Sequence, residues 1–209
     1  MSEEQERILD ELRAIEAAVG RIRARLTPTV EGMARFSQND PRWAREIYAG
    51  GETFAKAGCL VVCVAMVASQ VYPEVRPPEV ARKLREVGAF EGALLSKPAR
   101  IPRAFPLLRW DGYQHWRTIP ANVSRLAVEV ATRGPTIIEL AWDVWDSRPP
   151  QAGNQHFAVA VGVPPAMDDV VMVDAFDGEE KSLVESRYAA PRRWGAARAV
   201  HGMRLLRVG

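Results

Sequence analysis

The sequence predicts an α+β domain, and three observations carry that expectation. One apolar run, Cys59 to Ser69, is hydrophobic on every side. Short runs with strand periodicity are confined to the second half of the chain, and turn residues separate them. Helices first and an antiparallel sheet later is the arrangement of an α+β fold.

Taken in order, residues 1–28 stand apart as an N-terminal helix. Ile8, Leu12, Ile15, Val19, Ile22 and Leu26 keep the alternating four-three spacing of a heptad seam, with acids and arginines between them. Two outcomes fit this narrow stripe: a short coiled coil that makes a homo-oligomer through residues 1–26, or a helix packed on its own domain. Thr27-Pro28-Thr29 stops it, because proline cannot continue a helix. A second domain is expected over residues 32–209. In it, Gly58 to Gln70 reads as a central buried helix and Pro78 to Glu86 as an amphipathic helix after a proline start. Gly92 to Tyr113 shows no clear period. Asn122 to Thr132 reads as a helix capped by Asn122 and ended by Gly134. Strands are expected at Thr136 to Ala141, Phe157 to Val163, Val170 to Val173 and Met203 to Val208.

Composition narrows the class. With 47% hydrophobic and 26% charged residues, the 209-residue chain is ordinary for a globular protein. Its formal charge of +2 gives no electrostatic case for nucleic acid. The longest apolar run is too short to cross a bilayer, and the N-terminus lacks a secretory pattern, so no membrane association and a cytoplasmic location are expected. Two cysteines make no disulfide framework. Cys59 and Cys63 lack a second ligand pair at zinc spacing, so neither a metal nor a cofactor is predicted.

Four residues point to chemistry. Cys59 follows Gly58 and opens the apolar helix, where unpaired N–H groups favour a thiolate and lower the thiol pKa. Cys63, one turn on, reads as a packing residue. Of the three histidines, His156 stands at the mouth of a strand after the polar Gly153-Asn154-Gln155, within reach of a helix start across a cleft; His115 and His201 read as surface or packed residues. Asp174 ends the next strand and can accept the imidazole N–H, with Asp177 as its rival. Gln38, in Gln38-Asn39-Asp40-Pro41-Arg42-Trp43, carries an amide able to donate to an oxyanion. Trp142 and Trp145, ahead of the histidine strand, line a substrate groove or pack in the core.

Together these motifs resemble the C39-like cysteine peptidases. The resembling elements are Gln38-x-Asp40-Pro41-x-Trp43, Gly58-Cys59 and Ala65-Met66. They are followed by a helix, Gly-Pro turn and strand over Leu126 to Leu140, the histidine strand Gly153 to Gly162, and Val171 to Gly178. Ala175 stands where that family usually has proline, and Leu60-Val61-Val62 is bulkier than usual. The resemblance implies a papain-like fold in which a helical half bears the nucleophile and faces a small antiparallel sheet. It also implies Cys59 as nucleophile, His156 as base, Asp174 as orienting acid and Gln38 as oxyanion donor, acting on a peptide or protein substrate. A transporter-linked role is not implied, because the chain has neither a membrane segment nor a phosphate-binding Gly-x4-Gly-Lys loop. The alternative is a catalytically silent papain-like module that binds a peptide and assembles through its N-terminal helix.

Overall fold

The computed structural model of the chain describes residues 32–115, 123–141, 155–164, 169–186, 188 and 200–209. The helix expected over 1–28, the Asn122 cap, Gly153-Asn154, and Trp142 with Trp145 lie outside the described residues.

A six-stranded antiparallel sheet organises the domain. Its strands are β3 (Leu108–His115), β4 (Thr136–Ala141), β5 (Gln155–Gly162), β6 (Val171–Asp174), β7 (Glu180–Ser182) and β8 (Val200–Val208), in the spatial order β3-β8-β4-β5-β6-β7. The last strand of the chain is thus inserted between β3 and β4. A two-stranded ribbon, β1 (Ile47–Ala49) with β2 (Glu52–Thr53), precedes the helices α1 (Phe54–Ala57) and α2 (Cys59–Ser69). Then come α3 (Pro77–Glu86), a 3-10 turn at Pro98–Arg100, α4 (Ile101–Ala104) and α5 (Val123–Arg133). The architecture is α+β, as the sequence predicts. Among the described residues no helix is long and apolar enough to cross a membrane.

Strand β5 lies inside the sheet and is covered on both faces, and its sequence shows how. Phe157, Val159 and Val161 point to the face carrying α2, while Ala158 and Ala160 point to the face carrying α5. Branched side chains fill the space under α2, and alanines leave room for Leu126, Ala127 and Val130 of α5 to approach. All eleven residues of α2 are buried, which explains a helix without a polar face. The sheet lies on one side of it, and Val80, Ala81 and Leu84 of α3 join the same core. Removing each such Val or Leu side chain from water stabilises the fold by roughly 1.5–3 kcal/mol.

The junction between α1 and α2 is tight. A Cβ on Gly58 would lie 2.6 Å from the carbonyl oxygen of Phe54, so only glycine fits there, although its φ of −80° is ordinary. Tyr48 is buried and its hydroxyl bridges the carbonyls of Ala57 and Ala93 at 2.8 and 2.9 Å, tying the end of α1 to a later loop. Cys59 is therefore held from both sides at the start of α2.

Several elements differ from the sequence reading, β3 and β7 most informatively. Leu108–His115, which overlaps the stretch Gly92 to Tyr113 that shows no clear period in sequence, is a strand. Its register shifts between Trp110 and Tyr113 around Gly112 (φ +111°), so the alternation breaks in the middle. Glu180–Ser182, not expected as a strand, is a short polar edge strand held to β6 by backbone pairing. Helices α2, α3 and α5 and strands β4, β5, β6 and β8 fall within a few residues of their expected bounds, whereas β1, β2, α1, the 3-10 turn and α4 have no counterpart among the expected elements.

Candidate active site

Gln38 is set by the turn that follows it. The Asp40 carbonyl accepts the Trp43 and Ala44 N–H groups at 3.0 and 2.7 Å, and the Trp43 indole N–H returns to the Ser37 carbonyl at 2.8 Å. Trp43 packs edge-on against Phe36. The turn is then stapled to the end of β6. Gln38 donates its backbone N–H to Ala175 O at 2.7 Å, and the Ser37 hydroxyl and Asn39 amide both donate to Phe176 O. The Gln38 side chain is buried. Its Nε2 donates to Ala55 O at 2.9 Å, one turn before Cys59, and among the described residues its Oε1 has no hydrogen-bond partner. Gln38 thus spans the helical and sheet halves at the level of Asp174 and Cys59.

Cys59 is buried as the first residue of α2. Burial pushes its thiol up to about 11, outweighing the backbone N–H groups of Phe157, Leu60 and Cys59 itself, which pull it down; the charge of Asp174 adds to the upward push. The sequence reading, in which the helix start lowers the thiol pKa, is corrected here. The N–H groups are in place, but withdrawal of the sulfur from water is the larger effect. The resting group is a neutral thiol. Its contact with Phe157 N–H sets the sulfur against the peptide that joins Phe157 to His156.

His156 and Asp174 form a close, buried polar pair. His156 Nε2 lies 2.6 Å from Asp174 Oδ1, and both side chains are buried. The register pairs Ala158 with Asp174, so His156 and Asp174 stand diagonally on one face of the sheet. An ionised carboxylate only accepts, so Nε2 carries the proton of this bond.

Asp174 is unusually well supplied with donors. Oδ1 accepts from His156 and from the Phe176 N–H at 2.9 Å; Oδ2 accepts from Lys181 Nζ at 3.0 Å and from the Tyr188 hydroxyl at 2.8 Å. Burial alone would raise its pKa, but the bonds and charge of His156, the Phe176 N–H and Lys181 together hold it well below the usual carboxylate range. Asp177, the rival acid, is exposed and bonds Lys181 at 2.5 Å rather than the imidazole. The acid on His156 is Asp174.

Three contributors were not anticipated from the sequence. Tyr188 is fully buried, bonds Asp174, and stacks on the imidazole with centroids 5.3 Å apart and planes 20° from parallel. Lys181 reaches Asp174 from β7. Glu139 of β4, paired with Phe157, is buried and accepts from Tyr113 Oη at 2.5 Å and Gln155 Nε2 at 2.6 Å. Only Glu139 left a trace in the sequence, as a lone acid within Thr136-Ile137-Ile138-Glu139-Leu140-Ala141. Among the described residues no three His, Cys, Asp or Glu side chains converge to hold a metal ion. Compared with family models, curated proteins and solved structures, the chain matches none.

Proposed function

We propose that the chain is a cysteine-nucleophile hydrolase of the papain-related, C39-like kind, acting on a peptide or amide bond. The observation that carries the reading is His156 Nε2 held at 2.6 Å by buried Asp174, in the residue whose peptide to Phe157 meets the Cys59 thiol. Because Nε2 is committed to Asp174, Nδ1 is the nitrogen that serves the thiol.

The neutral thiol decides the form of the mechanism. Sγ attacks the substrate carbonyl carbon as its proton passes to His156 Nδ1, and Asp174 stabilises the imidazolium. The oxyanion takes the Cys59 N–H and the second amide N–H of Gln38. His156 returns the proton to the departing amine, which leaves a thioester on Cys59. Water, deprotonated by His156, attacks that thioester, releases the carboxylic acid and restores the thiol.

Burial of Cys59 favours one other reading, a papain-like module that binds peptides without cutting them. One experiment separates the two. The full chain, Cys59→Ser and His156→Ala are incubated with a mixed peptide library, and new termini and acyl adducts on Cys59 are read by mass spectrometry. Hydrolysis predicts new termini with the wild-type chain alone and a trappable Cys59 thioester. Peptides retained intact, with Cys59 alkylation by iodoacetamide indifferent to His156→Ala, would establish the binding module instead.

A further inference from the structure

We propose that Tyr188 and Lys181 are positioning residues that fix the His156–Asp174 pair, Tyr188 by holding both members and Lys181 by holding the carboxylate; this deepens the hydrolase reading and rests on it for its catalytic meaning. Carboxylate, imidazole and phenol form a closed triangle. The Tyr188 hydroxyl donates to Asp174 Oδ2 at 2.8 Å, Asp174 Oδ1 holds His156 Nε2 at 2.6 Å, and the phenol ring lies over the imidazole at 5.3 Å. A stack sets the plane of the imidazole, and the two bonds to one carboxylate set its rotation within that plane. The orientation of Nδ1 then follows from the ring that carries it.

Lys181 completes the arrangement from β7. It pairs with Met172 across β6–β7, which sets its side chain on the face of Asp174. Its ammonium bridges Asp174 at 3.0 Å and Asp177 at 2.5 Å. The turn carrying it is fixed by Gly178, at φ +78°, whose N–H bonds Asp174 O at 2.7 Å and whose missing Cβ leaves room for the Phe36 backbone. If Tyr188 merely filled space, its hydroxyl would not need to face the carboxylate. If Lys181 served only the surface, Asp177 would suffice.

The charged and titratable groups facing Asp174 are His156 from β5, Lys181 from β7 and Tyr188. Cys59 is within electrostatic reach from α2, and Asp177 acts through Lys181. Removing a donor from Oδ2 therefore lets the carboxylate protonate at higher pH and releases the imidazole.

The test needs no substrate at its first step. The full chain is labelled with 15N-histidine, and the Nε2–H proton of His156 is assigned by its loss in His156→Ala and followed by NMR against pH. In Tyr188→Phe, which keeps the ring, and in Lys181→Met, that proton is expected to move, exchange faster with water and disappear at a higher pH on acidification; Lys181→Arg is expected to restore it. Peptide hydrolysis is then expected to fall roughly 10- to 100-fold in kcat for Tyr188→Phe and Lys181→Met, with KM unchanged. A resonance unmoved in both variants, or a loss of thermal stability with an unchanged pH profile, would overturn the positioning role. A resonance that moves in a chain that cleaves nothing would keep the positioning role and sink the hydrolase reading.

Discussion

The two faces of the sheet around β5 treat burial in opposite ways. On the α2 face Cys59 is surrounded by apolar packing, and withdrawal from water pushes its thiol up to about 11. On the other face Asp174 is at least as buried, yet its carboxyl is held below its ordinary range because four donors, one of them the Lys181 ammonium, converge on it. Burial alone thus fixes neither group's charge; the number of hydrogen-bond partners supplied with it does. A neutral thiol and an ionised carboxylate thus stand on opposite faces of the same sheet, and the proposed hydrolysis would link them through the imidazole of His156.

That contrast can be broken most completely at Cys59. Cys59→Ser is expected to abolish turnover while leaving the fold intact, since the hydroxyl is a smaller group in the same packing; peptide cleavage and thermal unfolding measured together check both halves. Next in size is Asp174→Asn, which keeps the shape and removes the charge. A loss of about 10²–10⁴ in kcat is expected, read by steady-state kinetics. The same variant tests a linkage. Asp174 has a folded pKa below its unfolded one, near 4, so the stability it gives is full above that value and is lost as pH falls through the folded pKa. In Asp174→Asn this part of the acid dependence is expected to vanish, as chemical denaturation at pH 3 and pH 6 would reveal.

Smaller again is Gln38→Ala, expected to lower kcat by about 10²–10³ if its amide serves the oxyanion, with the pH profile unchanged because Gln38 carries no charge. A changed profile would instead make Gln38 part of the Asp174 network, to which its neighbours Ser37 and Asn39 are stapled. The least effect on chemistry is expected from Gly58→Ala. A Cβ meeting the Phe54 carbonyl at 2.6 Å should destabilise the chain by about 1–3 kcal/mol, measured by urea unfolding. It separates stability from any effect on turnover at the residue next to Cys59.

Sequence patterns revealed what depends on local periodicity. The apolar α2, the amphipathic α3 and the strands β4, β5 and β6 all carry their own signal and were expected near their observed bounds. β3 was hidden because a bulge at Gly112 interrupts its alternation, and β7 because three polar edge residues are paired by backbone alone. The pairing of His156 with Asp174 was legible, since each begins or ends a strand with a clear period. Tyr188 and Lys181 were not, because their contacts follow from register and from a return of the chain to Asp174 after β7. The state of Cys59 was misread for a related reason. A helix start is visible in sequence, whereas the depth of packing above it is a property of the whole fold.

The bonds from Ser37 and Asn39 to Phe176 span 139 and 137 residues of chain. They give the site an order in time. His156 is synthesised 97 residues after Cys59 (156 − 59), a delay of roughly 5–20 s at ordinary elongation rates of 5–20 residues per second. Over that interval the nascent chain carries the Cys59 thiol without the imidazole of His156 or the carboxylate of Asp174, and the α2 face that will bury it lacks β5. The thiol thus acquires its polar surroundings only with the residues that also close water away from it.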